Sequence, residues 1–250
     1  MFRMLKLKPP NGWQGVAWEL GIVTLGVLIA LAAQQWAEER SWKAKARDAT
    51  SAIREELADH YAWSVEWRVV YPCMTAQIDR LKQRVVASGD RLDPAPTYSE
   101  FDFSYYVMRL PSKDYVSSAW QSAIGDGVTS HLDTQRREEL SLHYATTLKL
   151  VSLTALNDND SAALLSLSQP IPLDPMVRYS LLRTLNELRG RVAFMDVRSG
   201  QLIDLIQKLD MLPPAADAKA KVERFGTYKF CKARGLPMRT FAEAMTAVPN

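Results

Sequence analysis

At 250 residues, 47% of them hydrophobic and 24% charged, the chain is long enough for one domain with a real core and too apolar for wholesale disorder. The net charge is only +3, and Arg3, Lys6, Lys8 and Glu19 near the amino terminus account for two of those charges, so the basic footprint that nucleic-acid binding leaves is missing. Two cysteines, Cys73 and Cys231, without a CxxC pair, argue against a disulfide-dense scaffold and against structural zinc. In an exported domain they are candidates for one disulfide; in the cytosol they would be two buried thiols.

Residues 1–15 form a short basic tail. Val16 to Trp36, VAWELGIVTLGVLIALAAQQW, then carries no charge between Leu20 and Ala33, and Glu19 is its one ionisable residue. On a helix Trp18 and Trp36 lie about 27 Å apart, close to the thickness of a bilayer's hydrocarbon core. Tryptophan favours the membrane–water interface, so the two rings read as interface markers of a single transmembrane helix in contact with the lipid bilayer. A cleavable signal peptide is the competing reading, because Ala30-Leu31-Ala32 fits a small-x-small cleavage pattern. The long preceding tail with Pro9, Pro10 and tryptophans favours an uncleaved anchor. The positive-inside comparison sets Arg3, Lys6 and Lys8 against Arg40, Lys43, Lys45 and Arg47 and does not decide orientation by count. Long domains translocate largely regardless of charge, so the expectation is a cytoplasmic amino terminus and a periplasmic domain over residues 37–250.

Trp18-Glu19-Leu20, Leu25 to Leu31, and Trp36 followed by Glu38-Glu39-Arg40 together resemble the start of a family of uncharacterised bacterial single-pass membrane proteins. In that family a glycine-containing apolar helix ends in a tryptophan and an E/R cluster and runs on as a long helix. The resemblance covers roughly residues 13–60, with weaker echoes at Pro72-Cys73 and Trp120. It departs at Ala32-Ala33-Gln34-Gln35, where the family has a more polar, Asn-containing run. It implies a bacterial single-pass protein and attaches no activity, substrate or cofactor; the placement expected for that single pass is the inner membrane.

Beyond the anchor, no proline occurs until Pro72 and helix formers dominate, so the spanning helix is expected to continue as a stalk. Its seam, Ala46, Ile53, Leu57, His60, Ser64, Trp67 and Tyr71, is only partly apolar. That favours packing within the chain's own bundle over a homodimeric coiled coil, the alternative. Pro72 should kink or end the helix, leaving Cys73 to Val86 as a further helical piece. Residues 88–100 read as a loop. Phe101 to Leu110, with Phe101, Phe103 and Tyr105 alternating, reads as an extended segment without an evident strand partner. Ser112 is the expected N-cap of a helix through Ala123, ended by Gly125-Asp126-Gly127. A helix from Asp133 carries Leu140, Tyr144, Leu148, Val151 and Ala155 on one face, with Asn157 to Asp160 as its expected break. After the loop Gln169 to Pro175 comes the clearest periodicity: Val177, Leu181, Leu185, Leu188, Val192, Met195, Leu202, Ile206 and Leu209, with Ser199 the one polar occupant. That is a helix of about 50 Å whose natural partners are the stalk and the Asp133–Ser168 segment. Pro213-Pro214 ends it, before a short charged helix at Asp217–Arg224 and a tail from Phe225 that carries Cys231.

The chain offers little recognisable chemistry. Glu56/His60 and Glu139/His143 share the i,i+4 spacing of surface pairs, one residue off the Glu-x-x-His of bundle di-iron sites, so no metal is assigned. Asn157 to Asp160 lacks the glycine and closing glutamate of a calcium loop. No GxSxG, GxGxxG or P-loop occurs, and no catalytic residue or cofactor is assigned. The row Trp63, Trp67, Tyr71 is read as core packing, and Gly26/Ala30 as a weak helix-approach pair. The expectation is an all-α protein, one amino-terminal transmembrane helix continuing into an elongated antiparallel bundle. Its expected role is a non-catalytic interaction or scaffold protein of the cell envelope with an unidentified protein partner. The alternatives are a ligand-sensing domain that signals through a partner, or an enzyme without a recognisable motif.

Overall fold

The computed structural model describes residues 12–101 and 104–248; most of the tail 1–15 and Phe103 lie outside the described residues. The fold class is all-α, and its axis is α1 (Gly12–Ala87), 76 residues long. The first half of α1 is apolar enough to cross a membrane by length and composition, and none of its most apolar 18-residue window is buried against the rest of the chain. Burial begins further along the same helix: Ile53, Leu57, Tyr61, Val65, Trp67, Val70 and Met74 are all closed off.

Pro72 does not break α1, contrary to the sequence expectation. A helix-interior proline has no N–H for the carbonyl four residues back, which here is Arg68. The carboxy-terminal tail supplies the missing donor, Arg239 Nη1 to the Arg68 carbonyl at 3.3 Å, and adds a contact beside it, the Arg239 backbone N–H to the Val69 carbonyl at 3.0 Å. Helix continuity is therefore a tertiary effect that local propensity does not register.

From the far end of α1 the chain turns back through β1 (Arg91–Leu92), the hairpin β2 (Tyr98–Phe101) and β3 (Ser104–Tyr106), and an extended strip to Tyr115. The hairpin corrects the reading of a partnerless segment: Tyr98 pairs with Tyr106 and Ser99 with Tyr105, two arms so close in sequence that they read as one alternation. The strip is gripped by Gln77 on α1, whose amide accepts the Arg109 N–H at 2.7 Å and donates to the Arg109 carbonyl at 3.2 Å. The next helix, α2 (Ser118–Gly125), starts five residues later than the Ser112 cap implied, because the chain first buries Tyr115 outside any helix. It ends at Gly127, whose φ of 71° favours glycine.

Two long helices complete the bundle. α3 (Thr134–Leu164) is capped by Asp133, which accepts the Arg136 N–H, and runs straight through residues 157–160. The expected break there is absent because Asn157 is buried, donating to Met195 Sδ and accepting from Arg191, while Asp160 pairs with Arg191. The Gln169–Pro175 connection then pairs its β4 (Ile171–Pro172) with β1. α4 (Pro175–Lys208) starts at the cap Asp174 with Pro175 in its first turn. It runs antiparallel to α1, as Arg178 at the Val85 carbonyl, Arg189 at Asp79 and Asp210 at Arg54 show in succession. α3 runs parallel to α1, with His131 against Trp42, His143 against His60 and the Leu167 carbonyl on Ala95. Of the periodic face read on α4, Leu185, Leu188, Val192, Met195, Ser199, Leu202 and Ile206 are fully buried.

The tail folds back as α5 (Ala215–Val222), α6 (Gly226–Ala233) and α7 (Phe241–Met245). Cys231 on α6 is bonded to Cys73 on α1, with Cα atoms 6.0 Å apart, closing a loop across 158 positions.

Candidate functional site

The sequence motifs do not point to the polar centre of the molecule. Glu56 and His60, one turn apart on α1, face inward rather than to solvent and are 8% and 0% exposed. The Glu56 carboxylate accepts from the Tyr144 hydroxyl at 2.6 Å, the Ser118 hydroxyl at 3.0 Å and the Ala119 N–H at 2.9 Å. The last two contacts make it the N-terminal cap of α2, a role the flanking Ser117 side chain does not take. A carboxylate at a helix N-terminus is favoured by the partial positive charge there.

One turn on, His60 Nε2 lies 2.8 Å from the Val116 carbonyl and its Nδ1 2.9 Å from His143 Nε2. A carbonyl can only accept, so the network assigns the His60 proton to Nε2, and His60 Nδ1 then accepts from His143 Nε2–H. His143 Nδ1 is left as a buried acceptor without a partner. Both rings are neutral in this arrangement. Burial pushes His60 down to about 4 against the opposing pull of Glu56, and burial with the adjacent His60 holds His143 well below the usual imidazole value. Around them Trp63, Tyr115 and Tyr144 pack edge-on or tilted, and Trp120 stacks on Tyr144 at 5.4 Å. Burial raises the Tyr115 phenol to about 12; its hydroxyl lies 3.4 Å from that of Ser64. The pairing of Glu139 with His143 is not formed: Glu139 accepts from Gln135 on the outer face instead. The corrected picture is a buried polar-aromatic cluster joining α1, α2 and α3. The trace it leaves in the sequence is His60 and Ser64 standing among the apolar positions of the α1 seam.

An acid-rich cleft of about 1110 Å³ opens beside this cluster, with Asp48, Glu55, Glu56, Asp59 and Asp126 on its walls. Among the described residues no group of three or more His, Cys, Asp or Glu side chains is placed to hold a metal ion.

A second groove, of about 690 Å³, lies at the far end of the domain. One wall is a single face of α1, where Gln77, Arg80, Leu81 and Arg84 follow helical spacing. The others are Tyr98 and Val107 of the returning strip, and Phe230, Arg234 and Leu236 at α6. The disulfide holds this third wall: Cys231 adjoins Phe230, and Gln77 Nε2 is 3.4 Å from the Cys73 carbonyl. The Arg234 guanidinium sits 4.1 Å over the Tyr98 ring, which meets Phe230 edge-on. Arg84 donates to the carbonyls of Asp93 and Pro94.

Of the residues picked out from the sequence, Cys73 and Cys231 are joined, and Trp18 and Trp36 stand exposed on α1 at opposite ends of its apolar stretch. Trp67 is buried in the core, and Trp63 and Tyr71 are packed at its edge. No family model matches the chain, no curated protein matches it, and no solved structure matches it.

Proposed function

We propose that the chain is a membrane-anchored, non-catalytic interaction protein of the bacterial cell envelope. Residues 1–15 are its cytoplasmic tail, 16–36 its inner-membrane span and 37–250 its periplasmic domain. The observation that carries the reading is α1, whose exposed apolar half and buried half are one helix. An apolar surface of that length left in water would be costly, and lipid is the environment that fits it. The disulfide supports an oxidising compartment for the domain. The buried histidines support a non-catalytic role, because both are sealed from solvent and committed to internal contacts.

Protease protection in spheroplasts tests the topology. The expected result is digestion of residues 37–250 from outside with the inner membrane intact; a domain protected until that membrane is lysed overturns it. Crosslinking in the same membranes identifies the protein partner. A second reading, an extracytoplasmic ligand-sensing domain that signals through a partner, is favoured by the arginine-lined groove.

A further inference from the structure

Several arginines of this domain have a carboxylate partner within the fold. Arg189, Arg191 and Arg239 each meet an aspartate, so their charge is answered within the fold. The three at the distal groove are not answered in this way. Arg84 is fixed by two neutral carbonyls, and Arg234 lies on the faces of Tyr98 and Phe230. Arg80 is exposed beside them, and among the described residues no Asp or Glu lines the groove. Three cations therefore converge on a concavity whose remaining walls are Leu81, Val107, Leu236 and two aromatic rings.

We propose that this groove binds a small organic anion with a flat apolar body, of the aromatic carboxylate class. The guanidiniums recognise the anionic end, since planar forks match a carboxylate in two-point contact. Tyr98, Phe230 and the apolar walls receive the body. The volume of about 690 Å³ lies within the range of small-molecule sites. Two of the three cations are held before the ligand arrives, Arg84 by hydrogen bonds and Arg234 by stacking, so little ordering is left to binding. A phospholipid headgroup of the anchoring membrane is the wrong occupant, because Arg80 stands roughly 65 Å along α1 from Trp36. The proposal rests on the second reading above, a ligand-binding domain, and is independent of the anchor's orientation.

The test uses the full chain in phosphatidylcholine nanodiscs, with empty nanodiscs as the blank and 2-naphthoate as the probe in titration calorimetry. The expected result is one saturable site per chain with a dissociation constant below about 1 mM. The neutral 2-naphthamide and inorganic phosphate, each lacking one half of the recognised chemistry, should bind at least about tenfold more weakly. Arg80→Glu should weaken 2-naphthoate by about tenfold or more and leave the melting temperature unchanged, since Arg80 is exposed; Lys149→Glu on the outer face of α3 should leave binding unchanged. Equal binding of 2-naphthamide, equal binding of phosphate, no saturable binding of 2-naphthoate, or equal effects of the two substitutions would each overturn the proposal. If 2-naphthoate binds as expected but protease protection places the domain in the cytoplasm, the site stands and the envelope reading falls.

Discussion

Gly200 on α4 lies where Arg68 and the end of the chain come down onto its backbone. The Val248 N–H donates to the Gly200 carbonyl, and an added Cβ would fall against Arg68 Nη1 and within 2.6 Å of Val248 Cγ2. Gly200→Ala should therefore destabilise the domain by about 1–3 kcal/mol in urea unfolding. Gly190, ten residues earlier on the same helix with open space around it, should give the opposite sign on substitution by alanine, a gain of up to about 1 kcal/mol. The histidine pair sets a pH dependence whose sign follows from neutral burial. His60 and His143 titrate lower in the folded chain than in the unfolded one, so below the ordinary imidazole value near 6.5 the unfolded state takes up protons that the native state refuses. The contribution is complete above that pH and declines as pH falls toward about 4, with Glu56, Tyr115 and Tyr144 as the polar neighbours of the pair. The melting temperature should drop between pH 7 and pH 4.5, and His143→Gln, which keeps a donor for His60 Nδ1 but cannot titrate, should flatten that slope.

At the scale of elements, the join between α1 and the carboxy-terminal tail matters most. Arg239 meets Asp196 through both oxygens, covers the Tyr71 ring and supplies a donor to the Arg68 carbonyl that Pro72 leaves open. Asp196 is 8% exposed, so Arg239→Ala leaves a nearly buried carboxylate without its ion-pair partner and should cost about 2–4 kcal/mol. In a Pro72→Ala background α1 regains its own donor to Arg68. The Arg239→Ala penalty should then be smaller by about 0.5 kcal/mol or more, a coupling that a double-mutant cycle in urea measures. This join also shows where sequence reading stops. The face of α4 was legible from Val177 to Leu209 because periodicity is local and burial follows it. Continuity across Pro72 was not, since the compensating donor comes from residue 239. The same holds for His60 and His143, which read as two surface pairs because each one's partner is 83 positions away. The groove has no local signature either: its walls come from residues 77–87, from Pro96, Tyr98 and Val107, and from residues 230–236.

Across the whole molecule, the domain's core begins beyond the apolar half of α1, and Ile53 is the first fully buried core residue. A chain starting at residue 37 should therefore fold without lipid and melt within a few degrees of the full-length protein in detergent, by circular dichroism. The disulfide ties the ends of that fold together. Replacing Cys73 and Cys231 by alanine releases a loop of 158 positions and should lower stability by up to about 5 kcal/mol by chain entropy. Because Phe230 and Arg234 hang on α6, it should also loosen the third wall of the groove, seen as faster hydrogen exchange at residues 226–236.

α1 is continuous from its apolar segment to the arginine groove. The helix fixes an azimuth as well as a height, as a shaft fixes the angle between two wheels keyed to it. Each residue added between Trp36 and Trp42 would turn the domain by about 100° relative to the apolar segment and lift it about 1.5 Å. A one-residue insertion would swing the groove round to face a different neighbour, while a seven-residue insertion would return it to within about 20° of its original bearing at a greater height. If the partner is held in the same membrane, crosslinking yield should follow that phase, collapsing at one inserted residue and recovering at seven, with the fold and its melting temperature unchanged throughout.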